Sequence, residues 1–184
     1  MRKLTYDQII KDLRFTISNV NKLIIHSNNA KISAVSGRSQ VRPSSVSQSS
    51  VYFGWKAELA IDGDQETKSH TICDWDTDLR YKMKFAAVYC FSDVVIIQSF
   101  LDRNAYRMDD TKVFVVNTKT GTESLCGVLK VSDVLTIEGQ TYRIPCDLKC
   151  GDEVKLTVRH DGGKYGKGAC IHMKEIKAFH TGSA

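Results

Sequence analysis

Six cysteines, at positions 73, 90, 126, 146, 150 and 170, constrain this chain more than any other feature. The count is even, no Cys-x-x-Cys occurs, and all six lie in the C-terminal two thirds of the 184 residues. Such a set reads as three disulfides formed in an oxidising compartment. Spacing leaves the connectivity open, because six cysteines allow 15 pairings. A rival reading places zinc at Cys146, Cys150, Cys170 and His172, on a spacing unusual for that metal. The opening Met1-Arg2-Lys3-Leu4-Thr5-Tyr6-Asp7-Gln8 is too polar for the apolar stretch of a signal peptide, so Met1 reads as a domain boundary or an introduced start. No apolar run approaches the length of a transmembrane helix, and no membrane insertion is expected.

The chain divides by pattern. Residues 1–27 read as a helical stalk, with Tyr6, Ile10, Leu13, Ile17, Val20 and Ile24 recurring in alternating steps of four and three. Two readings of that seam stay open: a coiled coil, with a trimer through residues 6–24 as the first expectation, or one amphipathic helix packed on its own domain. Residues 28–50 are rich in Ser and Asn and read as a linker. From Val51 the pattern becomes short β-branched runs separated by turn signals. Lys112–Val116, Gln140–Ile144 and Glu153–Arg159 read as strands, and the last alternates cleanly between polar and apolar residues. Asp62-Gly63, Thr120-Gly121, Glu138-Gly139 and Gly151-Asp152 read as turns. The expected fold class is all-β, a jelly-roll-like antiparallel sandwich over residues 51–180, with 181–184 as a tail.

The 26 basic and 21 acidic residues are interleaved, which fits a solvated surface rather than a nucleic-acid partner. No nucleophile elbow, His-Glu-x-x-His or phosphate-binding loop occurs, and no catalytic residue is expected. Three constellations remain. Asp62, Asp64 and Glu66 alternate around Gly63, a loop of hard oxygens that suits Ca²⁺ or serves as an ordinary turn. Ser69-His70-Thr71 leads into Cys73, Asp74, Trp75 and Asp76, where a histidine beside aromatic and acidic groups suits a sugar hydroxyl or plays a structural part. Leu101–Asp110 gathers Asp102, Arg103, Asn104, Tyr106 and Arg107 in one loop, either a polar binding surface or a salt-bridged hairpin.

Taken in order, these elements resemble the F-type lectins, or fucolectins. Ala60-Ile61-Asp62-Gly63 matches an A-x-D-G turn, Ser69-His70-Thr71 matches the element that carries the family's histidine, and Asp102 and Arg107 keep the spacing of its R-x-D-x4-R loop. Leu125-Cys126-Gly127 and Ile144-Pro145-Cys146 resemble a family disulfide pair, and Lys174–Phe179 resembles its closing strand. The likeness runs over about residues 43–180.

The resemblance implies an extracellular domain that is not an enzyme and grips a fucose-like sugar through His70 and Arg107. Glycans or glycoproteins are the implied partners. The family's first arginine falls on Phe100, which has no donor to offer, and Arg103 is expected to reach into the same site. A lost bidentate donor costs about 1.5–3 kcal/mol, or roughly ten- to a hundredfold in affinity. Phe100, Trp75 and Tyr106 would add apolar contact. Calcium is implied at Leu59, Asp62, Asp64 and Glu175. The implied pairings are Cys126–Cys146, Cys73–Cys170 and, by what is left, Cys90–Cys150. A second function class keeps the fold but loses the sugar site, leaving a protein-binding adhesion or receptor-recognition module. A third, a structural oligomerisation module, needs only the helix.

Overall fold

The computed structural model describes residues 37–73, 78–99, 105–131, 139–159 and 168–181. The expected stalk over 1–27 lies outside them, as do Trp75, Phe100, Asp102 and Arg103. The described residues form eight antiparallel strands: β1 (Arg38–Val41), β2 (Ser45–Gln48), β3 (Ser69–His70), β4 (Leu79–Gln98), β5 (Lys112–Asn117), β6 (Thr122–Val128), β7 (Thr141–Val158) and β8 (His172–Thr181). Short 3-10 turns occupy Ala57–Ala60 and Ala105–Met108, and no α-helix occurs among the described residues.

Two long strands make the sandwich. The first half of β4 pairs with β2 on one side and with the second half of β7 on the other, and β5 and β6 continue that layer. The second half of β4 pairs with the first half of β7 and with β8, which carries β1 and β3. The change of layer falls at the register shift between Lys84 and Tyr89 in β4. A second shift, between Phe91 and Asp93, lies opposite Asp147 and Leu148 of β7, both at positive φ. Irregularities of this kind bend a strand so that it serves two sheets. Tyr81, Met83, Phe91, Ile96, Leu156, Ile171, Met173 and Ile176 are fully buried between the layers. Alternation places them there: in β4, Leu79, Tyr81, Met83 and Phe85 point inward while Arg80, Lys82 and Lys84 point out.

Three sequence expectations change. Residues 38–48 of the expected linker form β1 and β2, because polar side chains on edge strands hide a pairing made by the backbone. Gln140–Ile144 and Glu153–Arg159 are two ends of the single strand β7, and Gly151-Asp152 lies inside it rather than in a turn. Thr181, expected in the tail, pairs with Arg38 at the end of β8. Thr120-Gly121 does form the β5–β6 turn, with Gly121 at φ 71°.

Gly151 serves a close approach. A Cβ there would lie 2.3 Å from the Val116 carbonyl oxygen and 2.7 Å from a Val115 methyl. Gly151→Ala is therefore expected to cost about 1–3 kcal/mol of stability through overpacking. A urea midpoint unchanged from the parent protein would show that β5 yields freely.

All six cysteines are paired: Cys73–Cys170, Cys90–Cys150 and Cys126–Cys146. The zinc reading fails on that ground, since no thiolate is left to ligate a metal. Strand β1 is fastened by Arg38, which lies 3.4 Å from buried Asp93 and 3.8 Å above the Phe179 ring. Arg143 meets the same carboxylate at 3.1 Å.

Candidate functional site

The segment between β2 and β4 wraps one end of the sandwich and builds two adjoining features. Gln48 organises it, its amide nitrogen donating to the carbonyls of Ser50, Trp55 and His70 at 2.6, 3.0 and 3.1 Å. The His70 amide donates to the Trp55 carbonyl and the Tyr52 amide to the His70 carbonyl, both at 3.0 Å. Tyr52 and Trp55 are thereby laid beside the His70 ring, at centroid distances of 5.0 and 5.5 Å.

His70 pairs with His172 across β3 and β8, and their rings stack at 5.5 Å. The His70 Nδ1 contacts the Thr71 carbonyl. A carbonyl only accepts, so Nδ1 carries the proton and Nε2 is the acceptor of the neutral ring. Burial lowers the His70 pKa; the Thr71 contact opposes this, while Lys68 and Arg107 add to it.

Arg107 lies in the 3-10 turn Ala105–Met108, and its carbonyl accepts from the Cys170 amide at 3.2 Å. Its Nη1 lies 3.0 Å from the Cys73 sulfur and 3.7 Å from that of Cys170, so the guanidinium rests on the disulfide. Sulfur is a weak acceptor. The Nε of Arg107 is buried and has no hydrogen-bond partner among the described residues. These side chains surround a cavity of about 430 Å³ lined by Tyr52, Trp55, His70, Ile72, Cys73, Arg107 and His172. Its rim is apolar: Phe53 is 80% exposed, and Val51, Tyr52 and Ile72 are also open to solvent. Phe53 holds φ 48° and Gly54 φ 80° in the turn closed by the Trp55 amide on the Tyr52 carbonyl. A bulky residue rarely adopts that conformation, and such backbone collects at binding sites.

The second feature is an oxygen nest. The Leu59 carbonyl, both Asp62 carboxylate oxygens and the Asp64 carbonyl lie 2.8–3.1 Å from the single Thr67 hydroxyl. One hydroxyl has one proton for these four acceptors. The Asp64 amide also donates to Asp62 Oδ1 at 2.9 Å and the Thr67 amide to the Asp64 carbonyl at 3.3 Å, so the nest gathers more oxygen lone pairs than donors. Glu175 of β8 reaches the same loop, accepting from the Gly63 amide at 2.7 Å. Burial raises its pKa, with the Gly63 bond and Lys177 opposing. All of these donors are hard oxygens and fit a Ca²⁺ ion.

Of the residues singled out from sequence, His70 and Arg107 meet at the cavity, and Leu59, Asp62, Asp64 and Glu175 at the nest. Tyr106 lies in the 3-10 turn, with its side chain outside the described part. Sequence reading missed Tyr52, Trp55 and Ile72 as cavity residues, and Thr67 at the nest. The concentration of aromatics just after Val51 was the available signal for the first two.

His70 predicts a pH dependence. Its folded pKa lies below the ordinary value near 6.5, so the unfolded chain takes up the proton first as pH falls. Stability is fully present at neutral pH and declines through about 6.5 toward the folded-state pKa, by at most about 1.4 kcal/mol per pH unit. Urea midpoints at pH 7.5 and 5.5 should differ by less in His70→Gln than in the parent protein. Equal differences would exclude His70 as the cause.

No family model matches the chain, and no curated protein matches it. Solved structures do. The fucolectin from striped bass serum, Morone saxatilis, is 16% identical with a TM-score of 0.58, over 76% of this chain and 46% of its own. The lectin domain of lectinolysin in complex with Lewis B antigen is 16% identical with a TM-score of 0.61, over 77% of this chain and 95% of its own. An F5/8 type C domain from Bacteroides fragilis is 15% identical with a TM-score of 0.63, over 80% of this chain and 99% of its own. The chain thus spans less than half of the fucolectin and nearly all of the other two. The fold is the β-sandwich shared by F-type lectins and F5/8 type C domains.

Proposed function

We propose that this domain recognises carbohydrate outside the cell, through the cavity between Arg107, His70 and the Tyr52–Trp55 ledge. The observation that carries this reading is the Arg107 guanidinium, which rests on a disulfide and has no acceptor for its buried Nε among the described residues, in a cavity it shares with the His70 imidazole. A fork of donors and one acceptor suit the vicinal hydroxyls and ring oxygen of a sugar, and the aromatic faces suit its apolar side. Structural neighbours that include a fucolectin and a lectin domain in complex with Lewis B antigen support a fucose-like ligand. Three disulfides support an oxidising compartment. No helix among the described residues is long and apolar enough to cross a membrane. Residues 6–24 are proposed to gather copies, as a trimer first, so that weak sites act together.

Calcium would be held by Leu59, Asp62, Asp64 and Glu175, ordering the loop that carries His70. When bound, it would supply positive charge to the nest.

A second reading, protein recognition in adhesion, draws on the exposed strip of Val51, Tyr52, Phe53 and Ile72. A glycan array on the oxidised protein, with and without EDTA, separates the two. Calcium-dependent capture of fucosylated glycans supports the lectin reading. A folded protein that binds nothing on the array overturns it and leaves the protein-binding one.

A further inference from the structure

The outer face of the β2–β4–β7–β5 layer carries a cationic surface that the cavity does not use. Register sets it out. Arg80, Lys82 and Lys84 follow one another on the outer side of β4, opposite Thr157, Lys155 and Glu153 of β7. Lys112 of β5 faces the same Thr157, and Ser47 and Ser45 of β2 face Lys82 and Lys84. Successive outward residues on a strand stand about 6.8 Å apart, and neighbouring strands about 4.8 Å.

Three acids share this face, and each meets one cation. Glu153 lies 3.1 Å from Lys82, Glu123 meets Lys155 at 2.5 Å, and Asp78 lies 4.0 Å from Arg159. Arg80, Lys84 and Lys112 make no ion pair among the described residues, and all three are exposed. Three positive charges of a chain whose net charge is +5 are thus uncompensated on one side of one layer. A small cavity of about 150 Å³ opens there between β2 and β4, lined by Ser47, Gln48, Ser49, Arg80 and Lys82. Gln48 is already engaged with backbone carbonyls. Lys82 is held by Glu153, so the groups left facing the cavity are the Arg80 guanidinium and the serine hydroxyls, donors that match an oxyanion.

We propose that this face binds a linear sulfated polysaccharide, separately from the sugar cavity. Charge complementarity argues for a polyanion, and the flatness of a sheet argues for an extended one. Nucleic acid is a poorer match, because single strands are held by stacking on exposed rings. The ring on this face, Phe114, is half-buried with the Lys155 ammonium 5.1 Å above it. A membrane surface is also a poorer match, since Leu125 on β6 is the large exposed apolar side chain here.

Heparin is the probe, used on the full chain in calorimetry across a range of salt concentrations. Arg80→Ser/Lys84→Ser should weaken binding about tenfold or more and reduce the log–log salt slope by about two, roughly one per lost contact. Lys56→Ser/Lys119→Ser removes the same charge elsewhere and should change little. Arg107→Met should bind heparin as the parent does, so a failed sugar site leaves this test intact. Equal weakening by both double variants would reduce the effect to net charge and overturn the proposal. So would equal affinity for desulfated heparin, tighter binding to a DNA duplex or to anionic vesicles, or no binding at low salt.

Discussion

Replacing Arg107 by methionine is expected to weaken glycan binding about ten- to a hundredfold while the protein stays folded. Methionine keeps the apolar stem and removes the fork. Among the described residues the parent guanidinium meets disulfide sulfur through Nη1 and its Nε has no hydrogen-bond partner, so few such contacts are lost with it. The effect should therefore appear in affinity and hardly in melting temperature. Arg107→Lys should not rescue binding, because an ammonium is a point donor where a planar pair is needed. Titration with the glycans that the array identifies would settle the matter. Parent-like affinity in Arg107→Met would remove this residue from the site.

The second large effect concerns the disulfide beneath it. Cys73→Ala/Cys170→Ala opens a cross-link between residues separated by 97 in sequence, and the chain-entropy account puts the loss at about 4.7 kcal/mol. Stability alone does not distinguish this bond from Cys90–Cys150, which spans 60 residues and joins β4 to β7 near the bend. Function does. The Cys73–Cys170 sulfurs support Arg107, and Cys73 walls the cavity. Glycan binding should be lost in this double variant even well below its melting temperature. Removing Cys90 and Cys150 should lower stability and leave affinity unchanged. If both variants bind alike, the disulfide is only a staple.

The inward–outward alternation of β4 and of the second half of β7 was written in neighbouring residues, and so was the all-β class. His70 and Arg107 became legible only through the ordered likeness to a lectin pattern, since 37 positions separate them and nothing local joins them. Strands β1 and β2 were not legible at all. Their partners lie some 140 and 36 residues away, and each buries little of its own. The continuity of β7 was hidden because Gly151 reads as a turn when only its neighbours are known, whereas the demand on it comes from Val116 across the sheet. Tyr52 and Trp55 had a composition signal but no partner until Gln48 and His70 were seen to gather their backbone.

The pairing of Arg38 with Thr181 brings the two ends of the domain side by side on adjacent strands, about 5 Å apart at Cα. A domain with such ends is a plug: it can be set into a surface loop of another protein without stretching the host, because entry and exit occupy one spot. The same geometry admits a circular permutant, closed by a short Gly/Ser bridge from 181 to 38 and reopened at the exposed Thr120-Gly121 tip. In that form new ends would leave from the β5–β6 hairpin, and a fused partner could be carried there instead.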